Sequence, residues 1–441
     1  MKKYFLSVLG CPKNQVDGEG IEFILNEHGF VRSYTLEDSD FSIVLSCGFI
    51  KPAKEESINE VLSICLQKEK NPEFKVILMG CLAERYLDEL GMELLEVDGI
   101  LGLSENSCII EDLEIILSGK RLIKKKKKTE YCFDLPRINK NGFSRYVKIA
   151  EGCDNHCSYC AIPLIKGRLR SRTIKNIVSE IDLFAKKGAK EIILSAQDIT
   201  AYGMDLGLKN GLFGLLKDIL NKTNIEWLRL MYLHPAHFDD SIFELFSDFK
   251  GRLLPYFDLP IQHADTGILK KMNRGYSFSY LKRLIKKIRE NIPEVIFRST
   301  VMLGFPGEGE KEYERLYSFL DQVRLERVGF FKFSPEEGTK AYGKDCPDED
   351  IVQARLEELI SLQADISEAF NNSRLNKFYD VIIDEKNNEE DYKYSGRSYG
   401  EAPEIDPVIL FNSRKKHKIG DIVKVKITDT NVFDIYGRAY S

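Results

Sequence analysis

The stretch Glu151–Pro163, EGCDNHCSYCAIP, places Cys153, Cys157 and Cys160 in a C-x3-C-x2-C array. This spacing constrains the chain more than any other feature. Three thiolates so close together can hold three corners of a cubane iron–sulfur cluster. A fourth cysteine at matching spacing is absent, so one iron would lack a protein ligand, which is what an iron needs to bind a substrate or cofactor. Clusters built only for electron transfer usually have four thiolates. Two other readings fit the same spacing: a zinc knuckle with His156 as a ligand, and three unrelated buried cysteines. Spacing alone does not separate the three.

With 441 residues the chain is too long for one ordinary domain. Its formal net charge of −5 argues against a surface that coats nucleic acid generally and leaves room for a local basic patch. The N-terminal MKKYFLSVLGCPKN has an apolar run of only about six residues, shorter than a signal peptide's apolar region, and it alternates like a strand. No stretch reaches the roughly 20 apolar residues of a membrane span. The expectation is a cytoplasmic protein with no membrane partner. Ten cysteines in such a chain point to metal or redox chemistry more than to disulfides.

Residues 1–118 alternate strand and helix patterns, which predicts a doubly wound parallel sheet. Strands are expected at Tyr4–Val8, Phe41–Leu45 and Val76–Met79, and helices at Ile58–Lys68 and Ala83–Leu95. Each strand is followed within one to three residues by a cysteine: Cys11, Cys47 and Cys81. The carboxyl ends of parallel strands share one edge, where ligands bind, so these three cysteines are expected to converge. Cys65, Cys108, Cys132 and Cys346 lack this position and read as structural. Residues 119–143 read as a linker, with the lysine run Lys124–Lys128 as a solvated tract or an RNA-contacting arm.

Residues 144–375 repeat the pattern, with strands expected at Tyr146–Ile149, Glu191–Leu194, Leu228–Met231, Tyr256–Asp258, Arg298–Leu303 and Gly329–Phe333. Six βα units predict a partial (β/α)6 barrel with its site at the carboxyl ends of the strands. Ser195–Gly203, Leu233–Phe238, Leu259–Tyr276 and Leu303–Glu314 follow four of these strands. Gly304 and Gly307 in the last of them would bring backbone close to a small ligand. His234, His237 and His263 read as satisfied loop residues. A long helix over Pro347–Arg374 leads to residues 376–441, where five short strands predict a small antiparallel barrel of OB-like type.

The segment Cys153–Arg172, CDNHCSYCAIPLIKGRLRSR, resembles the methylthiotransferase branch of the radical S-adenosylmethionine (SAM) enzymes. LGCPKN, SCGFI and GCLAERY around Cys11, Cys47 and Cys81 resemble the same family, and the C-terminal barrel resembles its TRAM domain. The resemblance implies two 4Fe–4S clusters, one on Cys153, Cys157 and Cys160 that binds SAM, and an auxiliary one on Cys11, Cys47 and Cys81. It implies reductive cleavage of SAM to a 5′-deoxyadenosyl radical, abstraction of hydrogen from an unactivated C–H bond, and transfer of a methylthio group. Gln197, Asp198 and Gln262, with Gly304 and Gly307, are expected to bind SAM. An electron donor such as flavodoxin or ferredoxin and a source of sulfur are implied as partners.

Leu9–Gly20 and Gly396–Phe411 resemble the ribosomal-protein branch, whose substrate is an aspartate of the twelfth small-subunit protein. The sister branch modifies adenosine in transfer RNA, and nucleic acid could also be met through the ribosome. Asp384, Glu385, Glu389, Glu390, Asp391, Glu401, Glu404 and Asp406 outweigh Arg414, Lys415, Lys416 and Lys418, which predicts an acidic face able to steer a basic ribosomal protein. A non-enzymatic electron carrier or an RNA-binding module explains the cysteines but not the βα units.

Overall fold

Runs of branched and aromatic residues build a six-stranded parallel sheet near the N-terminus: β1 Lys3–Val8, β2 Val31–Arg32, β3 Phe41–Ser46, β4 Lys75–Gly80, β5 Gly99–Leu101 and β6 Leu122–Lys124. The computed structural model describes residues 1–103, 109–125, 137, 142–387 and 391–440. The strand order is β2-β1-β3-β4-β5-β6. β3 is buried at every position, as a strand covered on both faces must be. Alternate side chains enter different cores. Ile43 and Leu45 join Ile21, Ile24 and Leu113 on one face, while Val44 joins Val61, Ile64 and Leu87 on the other. Helices on both faces make the sheet doubly wound, as expected.

Three strands were not legible because they are two or three residues long. One of them, Leu122–Lys124, replaces the start of the expected linker. Lys124, the first of the lysine run, pairs with buried Asp112 at 2.6 Å, and Lys126–Lys128 lie outside the described residues. The helix expected over Ala83–Leu95 is two helices, Cys81–Arg85 and Leu87–Glu93, broken at Tyr86. The helix expected from Ile58 starts at Lys51 and ends on buried Cys65. Cys346 is exposed, against the reading of it as a buried structural thiol. Cys108 and Cys132 lie outside the described residues.

The chain forms two compact units. Residues 1–140, 150–172 and 334–342 make the first. Within it β8 Ala150–Glu151 and β9 Arg170–Ser171 pair antiparallel and close the loop that carries Cys153, Cys157 and Cys160.

Residues 141–149, 173–333 and 343–441 make the second unit. Its sheet runs β7 Ser144–Lys148, β10 Glu191–Ser195, β11 Trp227–Leu230, β12 Leu253–Asp258, β13 Ile296–Leu303 and β14 Arg327–Lys332, each pairing in parallel with the next. Chain neighbours are sheet neighbours, the arrangement of an arc of a βα barrel. The helix Glu349–Asn372 leads to a closed barrel of β15 Phe378–Lys386, β16 Tyr394–Arg397, β17 Ile409–Asn412, β18 Ile422–Thr430 and β19 Ile435–Ala439. Its pairs are antiparallel apart from β17 with β19, which is parallel.

This barrel docks at the amino edge of the second sheet through buried charge. Glu191, first in β10, takes Arg229 at 2.8 Å and Arg397 of the barrel at 2.9 Å, with Glu191 and Arg229 wholly buried. Glu401 likewise takes Arg327 at 3.0 Å and also Arg374. The two arginines beside each carboxyl outweigh its burial and hold it at about 2, well under the ordinary 4.5. These folded values are depressed, so the pairs stabilise fully above about pH 4.5 and lose their contribution as pH falls toward 2. Glu191→Leu leaves buried Arg229 without its carboxylate, while Arg397 keeps Asp384. It is expected to cost about 3–5 kcal/mol in urea unfolding of the second unit's transition; a loss under about 1 kcal/mol would mean the pairs merely break even.

The same pairs correct the expected acidic face. Glu401 is buried, Asp384 is taken by Arg397 at 2.8 Å, and Asp406 accepts a hydrogen bond from Tyr256 at 2.6 Å. Glu385, Asp391 and Glu404 are exposed, while Glu389 and Glu390 lie outside the described residues.

Candidate functional site

The order β2-β1-β3 reverses direction between β1 and β3. The helix after β1, Pro12–Glu27, covers one face, and the helix after β3, Lys51–Cys65, covers the other. The crevice at such a switch point is where doubly wound sheets bind ligands. Cys11 and Cys47 stand there, one after each strand, and Cys81 follows the adjacent β4.

The strand ends are drawn tightly together. Asn14 donates to the carbonyls of Leu9 at 2.8 Å and Ser46 at 3.2 Å, pinning the end of β1 to the end of β3. Gly10 has φ +85°, and a Cβ there would lie 2.8 Å from the Cys47 Cβ, so the backbone beside Cys11 approaches Cys47 in a way only glycine permits. A Cβ on Gly48 would lie 2.8 Å from the Cys81 carbonyl carbon. The glycine next to each cysteine thus lets the three converge. Burial, ahead of neighbouring Cys11 and Cys47, raises the Cys81 thiol to about 12, and Lys166 pulls the other way.

Cys153, Cys157 and Cys160 occupy the loop between β8 and β9 in the same unit. The Cys153 N–H donates to Gly167 at 3.2 Å and the Cys160 N–H to Cys157 at 3.1 Å, so the loop folds back on itself. The three thiols are partly exposed, and His156 is exposed with φ +50°. No described cysteine is in a disulfide. Two triads of soft donors, each brought together by backbone and each lacking an S–S bond, suit a thiophilic cluster.

Sequence reasoning missed the segment Ser334–Tyr342, which is pinned onto this unit. Glu336 takes Arg85 at 2.6 Å and Lys54 at 2.9 Å, Arg85 also donates to Gly48 at 3.0 Å, and the Ala341 N–H donates to Ser158 at 2.8 Å. It therefore touches the backbone next to Cys157 directly and that next to Cys47 through Arg85. Nothing in its own sequence signals this, because every partner is more than 150 residues away.

In the second unit, Gln197, Asp198, Gln262, Gly304 and Gly307 all follow the carboxyl ends of β10, β12 and β13, on the edge opposite the docked barrel. Asp198 is buried and accepts from the Thr200 N–H at 2.9 Å and from His237 Nδ1 at 2.9 Å. His234 stacks on His237 at 5.0 Å, and its Nδ1 accepts the Ala236 N–H at 3.2 Å. Burial, reinforced by the cation of Arg274, lowers His234 to about 3 and keeps it neutral. Gln262 takes a left-handed φ of +65° and bridges to β13, accepting the Met302 N–H at 2.7 Å. The Gly304 N–H donates to Glu308 at 3.1 Å, and the Gly307 carbonyl accepts Lys271 Nζ at 3.3 Å. His263 Nδ1 accepts the Asp265 N–H at 2.9 Å, while its buried Nε2 lies 3.7 Å from Glu308 with no hydrogen bond, so the ring is only half satisfied.

Comparison with known sequences and structures agrees with this architecture. The radical SAM superfamily matches residues 147–320, the uncharacterized protein family UPF0004 matches 3–102, and the TRAM domain matches 377–439. The ribosomal protein uS12 methylthiotransferase RimO of Acetivibrio thermocellus is 38% identical over 99% of this chain and 98% of its own length. Its namesake from Caldicellulosiruptor saccharolyticus is 40% identical over 97% and 98%. Among solved structures, the radical SAM methyltransferase TsrM of Kitasatospora setae superposes with a TM-score of 0.54 at 15% identity, covering 75% of this chain and 73% of that one, a likeness of fold alone. Near-full-length identity at this level, on the three matched regions, shows that the chain belongs to the RimO family of radical SAM methylthiotransferases.

Proposed function

We propose that the chain adds a methylthio group to the β-carbon of an aspartate in ribosomal protein uS12, using SAM and two 4Fe–4S clusters. The observation that most supports this reading is the pair of cysteine triads in one compact unit, one in the β8–β9 loop and one at the switch point of a doubly wound sheet. Relatives named for the uS12 reaction extend over essentially the whole chain. When bound, the clusters and SAM supply the electron, the hydrogen abstraction, the sulfur and the methyl group, chemistry that no side chain carries.

The chain's own residues hold and orient. Cys153, Cys157 and Cys160 supply three thiolates and leave one iron for SAM, while Cys11, Cys47 and Cys81 hold the auxiliary cluster. Gly10, Gly48 and Asn14 keep the second triad assembled. Gln197, Asp198, Gln262, Gly304 and Gly307 are the SAM-binding positions. Asp198 is fixed in advance by Thr200 and His237, which spares the cost of ordering it on binding. An electron donor such as flavodoxin or ferredoxin and a source of sulfur complete the reaction. Among the described residues no helix is long and apolar enough to cross a membrane, and the cytoplasm, where ribosomal protein is made, is the proposed location.

The test compares uS12 from a strain carrying the gene with uS12 from a strain lacking it, by mass spectrometry. The expected result is a gain of about 46 mass units on one aspartate, hydrogen replaced by SCH3, present only with the gene. An unmodified uS12 together with a gene-dependent methylthio-adenosine in transfer RNA would overturn the substrate.

A further inference from the structure

Lys166 lies in the IKGRLRSR run after the third cysteine of the loop, where a lysine ordinarily faces water. Here it is 5% exposed, whereas the Arg168 side chain two residues on is 88% exposed. Its helix, Ile162–Ile165, packs Ala161 and Ile165 directly on Cys81. The ammonium sits 3.6 Å from Asp17, on the helix that follows Cys11, and 3.5 Å from Glu151, which precedes Cys153 and is wholly buried. The Nζ is buried and has no hydrogen-bond partner. Burial opposes its charge, but Glu151, Cys81, Asp17 and Cys11 together outweigh burial and keep it protonated above the ordinary lysine value. Cys47 and Cys81 in turn feel this cation. A positive charge carried by the loop of one triad is thus directed at the thiols of the other.

A cluster on three thiolates is anionic, and each one-electron reduction adds a further negative charge. Potentials of such clusters are set partly by net charge and by exclusion of water, and a charge acts strongly where water is scarce. A salt bridge that served folding alone would need only Asp17 and Glu151 around it. Here the residue just before Lys166, Ile165, also packs on Cys81.

We infer that Lys166 is the counter-cation of the auxiliary cluster: a positioning residue that raises the cluster's reduction potential and is itself tuned by Glu151. This inference rests on the two-cluster reading. It is tested in the full chain with Cys153, Cys157 and Cys160 replaced by alanine, so that only the auxiliary cluster contributes. The midpoint potential is read by dithionite titration with electron paramagnetic resonance.

Lys166→Met is expected to lower the potential, Lys166→Arg to restore most of it, and Glu151→Gln, which frees the ammonium from one anion, to raise it. Retained iron with an unmoved potential in Lys166→Met and Glu151→Gln would overturn the inference. If Lys166→Met fails to hold iron, Glu151→Gln decides by the same criterion. Absence of iron from the parent triple variant would mean that the auxiliary cluster does not assemble alone, and would overturn the inference that Lys166 sets the potential of an independent cluster.

Discussion

Cys157→Ala is expected to abolish formation of 5′-deoxyadenosine from SAM, whereas Cys47→Ala keeps a measurable fraction of that cleavage and stops methylthiolation. The expectation follows from the separate supports of the two triads. Cys157 lies in a loop closed by β8 and β9 and by the Cys153-to-Gly167 hydrogen bond. Cys47 lies at the end of β3, and its N–H is held by Ser57 at 2.9 Å. Neither support passes through the other. Removing one thiolate from a three-thiolate site takes away the one arrangement that leaves an iron open, so the first change acts on SAM itself. On the proposed reading, the second acts on the auxiliary site and leaves Cys153, Cys157 and Cys160 in place. The measurement is 5′-deoxyadenosine and methylthiolated uS12 in one reaction, with folding checked by circular dichroism. Equal loss of cleavage in two folded variants would show that the triads do not divide the work.

What could be read in the sequence was whatever local pattern determines. Strand runs such as FSIVLS followed by Cys47, and the glycine beside each of the three N-terminal cysteines, are local, so the convergence of that triad was legible before the strand order was known. The switch point between β1 and β3 was not. It depends on β2 lying outside β1, and β2 is only two residues long. The OB-like barrel was legible as five strands, while its parallel pair, β17 with β19, required tertiary closure.

Charge was the least legible property. Glu401 and Asp384 read as a surface face, but arginines far away in the chain draw them inward. Nothing local in the sequence marks Lys166 as buried, and only the folded chain brings Asp17 and Glu151 to its ammonium. A charged side chain is exposed by default, so a sequence signals a buried ion pair only when both partners are near each other in the chain.

The triple variant with Cys153, Cys157 and Cys160 replaced by alanine is expected to keep about half its iron after anaerobic reconstitution, about four atoms per chain against about eight in the parent. The reciprocal variant, lacking Cys11, Cys47 and Cys81, is expected to keep the other half. The independence has a structural reason. The switch-point triad is held by β1, β3 and β4, whose cores are those of the first sheet, and none of that core comes from the loop between β8 and β9. The shared elements, Lys166, the helix Ile162–Ile165 beside Cys81 and the segment Ser334–Tyr342, are unchanged in sequence in both variants. Iron and acid-labile sulfide are measured together, because equal amounts of the two distinguish cubanes from adventitious iron. Full iron in the first variant would remove the cluster from Cys153, Cys157 and Cys160. Zinc as the dominant metal in the parent would return the loop to the zinc-knuckle reading that its spacing also allows. Loss of all iron from either variant would mean that the two sites assemble as one unit, with Lys166 and its two carboxylates the first contacts to examine.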